Sequence, residues 1–244
     1  MGTTSNFGFP FPEDTDLVRD GAQAIEDLAD AVDGVVANGF RFVGQVTFTA
    51  DGTFLRDDPL GTGDIKLRAV RVRVVGGGGG GGRGRSGRVA AGGGGGGTAV
   101  TLITDISSLP GSVGVTVGGS GAGATTDDSN GAAGTDSMFG SLCVATGGRG
   151  TLNSGLQAVR PSTAGTIGDF FAAGGPGGSG SAVSGSAGGV GGSSTLGGGG
   201  QGQRGNVDGP GGDGQVFGGG GGGGVGPANG GDGAVGIVIV ELYA

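Results

Sequence analysis

The apolar positions of this chain follow one spacing near its start and another from about residue 40 onward. Val18, Ile25 and Val32 are seven residues apart, as are Leu28 and Val35, so two positions of a heptad are apolar on one face of a helix expected over residues 15–36. Glu13-Asp14-Thr15-Asp16 supplies an N-cap candidate and negative charge beside the helix's first free N–H groups, Gly21 is its weak point, and Asn38-Gly39 ends it. A seam of about three heptads is marginal alone. Two partners would satisfy it: further copies of the chain, with a trimer as the expected state, or the chain's own downstream strands.

Beyond Gly39 the period changes to two. Phe40, Phe42, Gly44, Val46 and Phe48 alternate with Arg41, Gln45, Thr47 and Thr49, as in a strand with one apolar face. Asp51-Gly52 then signals a tight turn, with Thr53-Phe54-Leu55 returning as a short partner. Residues 65–75 alternate apolar and basic side chains with a slip of phase at Ala69-Val70, as a bulged strand would. Further strands are expected over residues 98–106, 111–117 and 235–243, with Leu109-Pro110-Gly111 turning between the first two. Together they could form a sheet holding both ends of what lies between.

What lies between has almost no apolar pattern, and here composition changes the picture. Of 71 Gly, 61 fall in residues 76–233, with uninterrupted runs at 76–82, 92–97, 197–200 and 218–224. Such composition ordinarily reads as disorder. A strictly flexible linker would not, however, be interrupted and closed by β-branched segments such as 98–106 and 235–243. With one Tyr and no Trp, side-chain packing cannot fill this block. Polyproline-II rods of Gly offer another solution. Each backbone N–H and C=O points outward, and neighbouring rods satisfy them in a hexagonal lattice only where no side chain intervenes. A strict Gly-X-Y repeat with Pro is missing, so collagen is excluded. Turns at the rod ends, rich in Ser, Thr, Asn and Ala, are then the place for a binding surface.

Charge and chemistry narrow the function classes. The net charge of −8 argues against a general nucleic-acid binder, although seven bases and no acid lie in residues 66–88, and eight acids against Arg19 alone in residues 13–33. Lone Cys143 can form no internal disulfide, which suits assembly in a reducing compartment, and the absence of His makes a metal site unexpected. No apolar run approaches a membrane span, and no signal pattern opens the chain. An enzyme is not expected: there is no P-loop Gly-Lys pair or nucleophile elbow with a triad partner, and the paired acids Asp57-Asp58 and Asp127-Asp128 sit in turn-like sequence. No cofactor is implied.

Several segments resemble known families. Arg71-Val-Arg-Val-Val75 running into the first Gly run, Val113-Gly-Val-Thr-Val-Gly-Gly119, and Asp232-Gly-Ala-Val-Gly-Ile-Val-Ile-Val240 resemble glycine-rich domains of bacteriophage tail fibres and adhesins. Asn6-Phe-Gly-Phe-Pro-Phe-Pro12, Asp16-Leu-Val-Arg-Asp-Gly-Ala22 and Leu28-Ala-Asp-Ala-Val-Asp33 are similar to minor tail proteins of phages infecting actinobacteria. The resemblance implies a virion tail protein, assembled in the host cytoplasm, that attaches to other tail or baseplate proteins by its N-terminus. It further implies that a polyglycine-II domain recognises a host glycan or cell-wall polymer.

These readings combine into a mainly β fold with packed polyglycine-II helices and a short N-terminal α-helical, coiled-coil-like stalk. The expected division is a docking arm (1–14), a helical oligomerisation stalk (15–38), a β-hairpin connector (39–64) and the glycine-rich domain (65–244). Phe7, Phe9 and Phe11 are candidates for tail docking, since Pro10 and Pro12 hold that arm extended; folding back on its own helix is the other reading. Val18, Ile25, Leu28, Val32 and Val35 are the oligomerisation candidates. Receptor contact is expected where an aromatic meets polar groups, at Asp127, Asp128, Asn130 and Phe139 and at Asp169, Phe170 and Phe171, though these Phe could equally plug the slab's sides. Two rival functions remain. One is an inert tail spacer; the other is nucleic-acid binding through the RGG-like Gly82-Arg-Gly-Arg-Ser-Gly-Arg88, for which anionic cell-wall polymers are the alternative partner.

Overall fold

The computed structural model describes residues 2–3, 10–11, 25, 27–32, 39, 41–61, 63, 65–86, 88–127, 129–152, 159–160, 162–181, 186–204 and 207–244. The chain divides into two compact units, Met1–Arg41 and Phe42–Ala244. In the first, β1 (Gly2–Thr3) pairs antiparallel with β2 (Pro10–Phe11), in keeping with the extended backbone that Pro10 and Pro12 impose. Ile25 and residues 27–32 are helical, and Ile25, Leu28 and Val32 are exposed. Val18, Val35, Phe7, Phe9 and the side chain of Phe11 lie outside the described residues.

The second unit contains a sandwich of two antiparallel sheets. Its strands are β3 (Phe42–Phe48), β4 (Gly52–Leu55), β5 (Ala69–Val75), β6 (Thr98–Ile103), β7 (Ser112–Thr116), β8 (Ser137–Phe139), β9 (Cys143–Ala145), β10 (Phe170–Ala172) and β11 (Ile237–Tyr243). The five-stranded sheet has the order β10-β6-β5-β11-β3 and the four-stranded sheet β4-β7-β8-β9. Alternation decides which side chains meet: Val70, Val72 and Val74 of β5 and Val238, Val240 and Leu242 of β11 enter the core, where they join Phe54, Val113, Val115, Phe139 and Cys143 from the facing sheet. Arg71 and Arg73 therefore point away from it.

Three expectations change. β3 and β4, read as a hairpin across Asp51-Gly52, pair instead with β11 and β7, so residues 48–52 cross between the sheets. Likewise β6 and β7 do not pair with each other, and Leu109, buried after the 3-10 turn Ile106–Ser108, belongs to the core. A bulge between Leu242 and Tyr243 puts Phe42 opposite Tyr243, where the rings meet edge-on at 5.9 Å, so Val43 rather than Phe42 packs on the core. Sequence spacing identified these strands. It could not assign their partners, because two sheets satisfy the same alternation.

β5 and β11 hold the two ends of the glycine block as neighbours, and the block is an ordered polyglycine-II lattice. Residues 76–82 form a wholly buried rod whose hydrogen bonds repeat every three residues. The N–H groups of Gly76, Gly79 and Gly82 donate to the carbonyls of Gly97, Gly94 and Ala91; those of Gly77 and Gly80 donate to Thr135 and Ala132; those of Gly78 and Gly81 donate to Ala234 and Gly231 (2.8–3.0 Å). Its carbonyls accept along three further rods: Gly77 from Gly148, Gly78 from Gly121 and Gly79 from Gly221 (2.7–2.9 Å), a register repeated three residues on from Thr151, Ala124 and Gly224. Descending residue numbers mark the first three neighbours as antiparallel, and ascending numbers mark the others as parallel. Six neighbours around one rod are a hexagonal packing.

Residues 218–224 form a second rod with six neighbours, and residues 92–97 are likewise buried. Uninterrupted Gly thus marks the interior. Peripheral rods instead expose every third residue: Arg149 and Leu152; Pro176 and Ser179; Ala187, Val190 and Ser193; Asn229, Asp232 and Val235. A threefold rod turns one row of side chains outward and keeps Gly on the rows that touch neighbours. The run at 197–200 is peripheral, with Gly198 exposed.

Candidate functional site

The strands fix one end of the rod bundle, since 75 leads into 76, 97 into 98, 145 into 147 and 236 into 237. At the far end the chain reverses between 84 and 90, 124 and 131, 151 and 159, 178 and 188, 203 and 211, and 224 and 230. The lattice makes no demand on side chains there, and among the described residues Arg83, Thr125, Thr126, Asp127, Ser129 and Asn229 bring polar groups distant in sequence to this end.

Arg83 ties three of these reversals together. Its guanidinium donates to Asp127 Oδ1 (2.9 Å), to the Thr125 carbonyl (2.9 Å) and to Asn229 Oδ1 (2.6 Å). Those acceptors end or begin the rods 118–124 and 230–234, so one side chain staples three rod tips. Nearby, Gly226 adopts φ +64°, and the Asp208 carboxylate occupies the place a Cβ would take. The Val89 N–H donates to the Ser181 carbonyl (2.9 Å) and the Gly209 N–H to that of Val225 (3.0 Å), closing the tip across the bundle.

The sequence-derived candidates separate. Asp127 is at the far end, held by Arg83, and Asn130 lies beside it, exposed. Asp128 lies outside the described residues. Phe139, by contrast, is fully buried in the sandwich against Phe54, ring centroids 5.5 Å apart, and cannot touch a receptor. Its one-in-two alternation on β8 turns it inward, a strand too short to read from the sequence. Asp169, Phe170 and Phe171 belong to the sandwich end: Asp169 accepts from the Leu102 N–H (2.8 Å), and Phe170, 60% exposed, lies on the edge strand β10 with Arg71, Arg73 and Leu196 along a shallow groove. The two proposed contact segments therefore do not form one site.

A cleft of about 600 Å3 opens on the bundle flank near the far end. Gly131, Gly150 and Thr151 floor it, with Asn130, Arg149, Leu152, Val159 and Arg160 around them. The Thr151 hydroxyl is buried and accepts from the Gly131 N–H (2.9 Å), so the floor is internally satisfied. Sequence reading missed Arg149, Leu152, Val159 and Arg160; the Gly147-Gly148-Arg149-Gly150 spacing carried the signal for an outward Arg149.

Buried Cys143 has its thiol pushed up by burial, with the Asp169 carboxylate adding to the effect, and it behaves as a small apolar residue. Among the described residues no cluster of His, Cys, Asp or Glu could hold a metal, and no helix is long and apolar enough to cross a membrane.

Fold and surface together define a class: an antiparallel β-sandwich carrying a polyglycine-II bundle whose reversals form a polar tip. The chain is a member of the glycine-rich domain family, whose model matches residues 49–243. Among curated proteins no match was found.

Proposed function

We propose that this chain is a bacteriophage tail protein that attaches to the tail through its N-terminal unit and presents the far end of its polyglycine-II bundle to the host cell surface. The observation that supports it most is the separation of demands within the bundle. Gly contacts hold the scaffold, and polar residues such as Arg83, Thr125, Thr126, Asp127 and Ser129 collect at the end remote from the sandwich. The family match extends over the glycine-rich unit, and the tail assignment rests on the resemblance of residues 6–33 to minor tail proteins of actinobacteriophages. Asp127 and Asn130 remain contact candidates. Phe170 and Phe171 lie on β10 at the sandwich end, apart from that tip.

Binding rather than catalysis is the activity expected of such a tip. Arg83, one of the three bases in the RGG-like stretch, is engaged with Asp127, Thr125 and Asn229, which favours a scaffold role for it over the nucleic-acid reading. The test is saturable binding of the purified protein to actinobacterial cell walls and its competition with phage adsorption. A variant with Thr125, Thr126 and Ser129 all changed to Ala should melt as the parent does yet lose at least tenfold in affinity. Unaltered affinity after replacement of every far-end reversal, or wall degradation, would overturn the reading.

A further inference from the structure

Arg149 and Arg160 stand level with each other on adjacent rods. A Cβ on Gly94 would approach the backbone oxygens of both, and three residues along the same two rods the Thr146 hydroxyl donates to the Thr163 carbonyl. Both arginines are exposed and both line the flank cleft. Among the described residues neither guanidinium has a carboxylate or carbonyl partner, whereas Arg56, Arg71 and Arg83 are each paired with an acid. Like charges at neighbouring positions repel, and nothing in the lattice requires them, because the outward row of a rod accepts any side chain. In a chain of net charge −8 this pair is a local exception.

The surroundings select the ligand. Two guanidiniums offer planar, bidentate donors suited to phosphate or carboxylate oxygens. Asn130 adds an amide, while exposed Leu152 offers apolar contact to a carbon skeleton between charges. We propose that the cleft binds an anionic carbohydrate or polyol chain, one phosphodiester or carboxylate group bridging Arg149 and Arg160 and the neighbouring unit lying on Leu152. That such a chain comes from a cell surface rests on the function proposed above; the anion chemistry of the cleft does not.

Titration calorimetry on the full chain with poly(glycerol phosphate), polygalacturonate, neutral dextran and a single-stranded oligonucleotide tests this. One of the two anionic polymers should bind with an affinity that falls at least tenfold on R149Q/R160Q and steeply with added salt, while R149K/R160K retains part of it and dextran gives no heat. Tighter binding of poly(glycerol phosphate) assigns a phosphodiester source, and tighter binding of polygalacturonate a uronic-acid source. The proposal is overturned if neither polymer binds, if the Gln variant binds as well as the parent with an unchanged melting curve, or if the oligonucleotide binds more tightly than both. Wall binding retained by R149Q/R160Q but lost by the far-end Ala variant would remove the cleft alone and leave the proposed function standing. Polymer binding without wall binding would do the reverse.

Discussion

Gly80 and Gly114 illustrate how differently one residue type acts in this chain. A Cβ on Gly80 would fall inside the carbonyl of Ala122, a backbone atom fixed by its own hydrogen bonds, whereas a Cβ on Gly114 meets nothing within 4 Å. Gly80→Ala should therefore destabilise the protein by about 3 kcal/mol or more, and Gly114→Ala by no more than about 0.5 kcal/mol, as read from chemical denaturation midpoints. Equal effects would contradict close backbone packing as the reason for Gly. The aromatic residues show the complementary lesson. Phe139 and Phe170 look alike in sequence, each at the edge of a Ser-, Ala- or Gly-rich stretch, yet one is a core residue and the other sits on an exposed edge strand. Neither strand exceeds three residues, which is too short for a period to be read. Their opposite fates come from pairing with β7 and β9 in one case and β6 in the other.

Among the elements, the rods turn a three-residue period into a rule about position. A rod with six neighbours tolerates no side chain over its length, as in residues 76–82; a rod with one open face shows a repeat of the form Gly-Gly-X, as in 188–192 with Val190 outward and 51% exposed. Gly191, one step along, would place a Cβ on the carbonyl of Gly220. Val190→Ala should be nearly neutral, about 0.5 kcal/mol or less, while Gly191→Ala should lower the thermal midpoint by several degrees; the reverse order would refute the outward-row assignment. The strands are governed by a period of two, and there the sequence was legible for β3, β5, β6, β7 and β11, each within a few residues of its observed bounds. Their partners were not, because an apolar row facing one sheet looks the same as one facing the other.

At the scale of the whole molecule, the bundle is stabilised by backbone hydrogen bonds that close on distant segments, so no rod is satisfied without the others. The central rod alone draws donors or acceptors from six segments spread between residues 91 and 234. Its opening thus requires unfolding of the domain, and the amides of Gly76 to Gly82 should exchange with solvent among the slowest in the chain although they belong to no helix or sheet. Exchange at those amides as fast as at Arg85 or Thr126, read by heteronuclear NMR, would exclude the cooperative lattice. The amino-acid sequence by itself determined that this block must pack through its backbone, since Gly leaves only N–H and C=O to pair, and that β-branched strands must hold its ends. It also set the three-residue rows that separate contact glycines from outward side chains. Only the tertiary structure decided which rods are neighbours, that Arg83 staples the tip, that Phe139 is core, and that Arg149 and Arg160 line one cleft. Those outcomes depend on which of many chemically equivalent glycine rods lie side by side, and identical rods carry no label that would say.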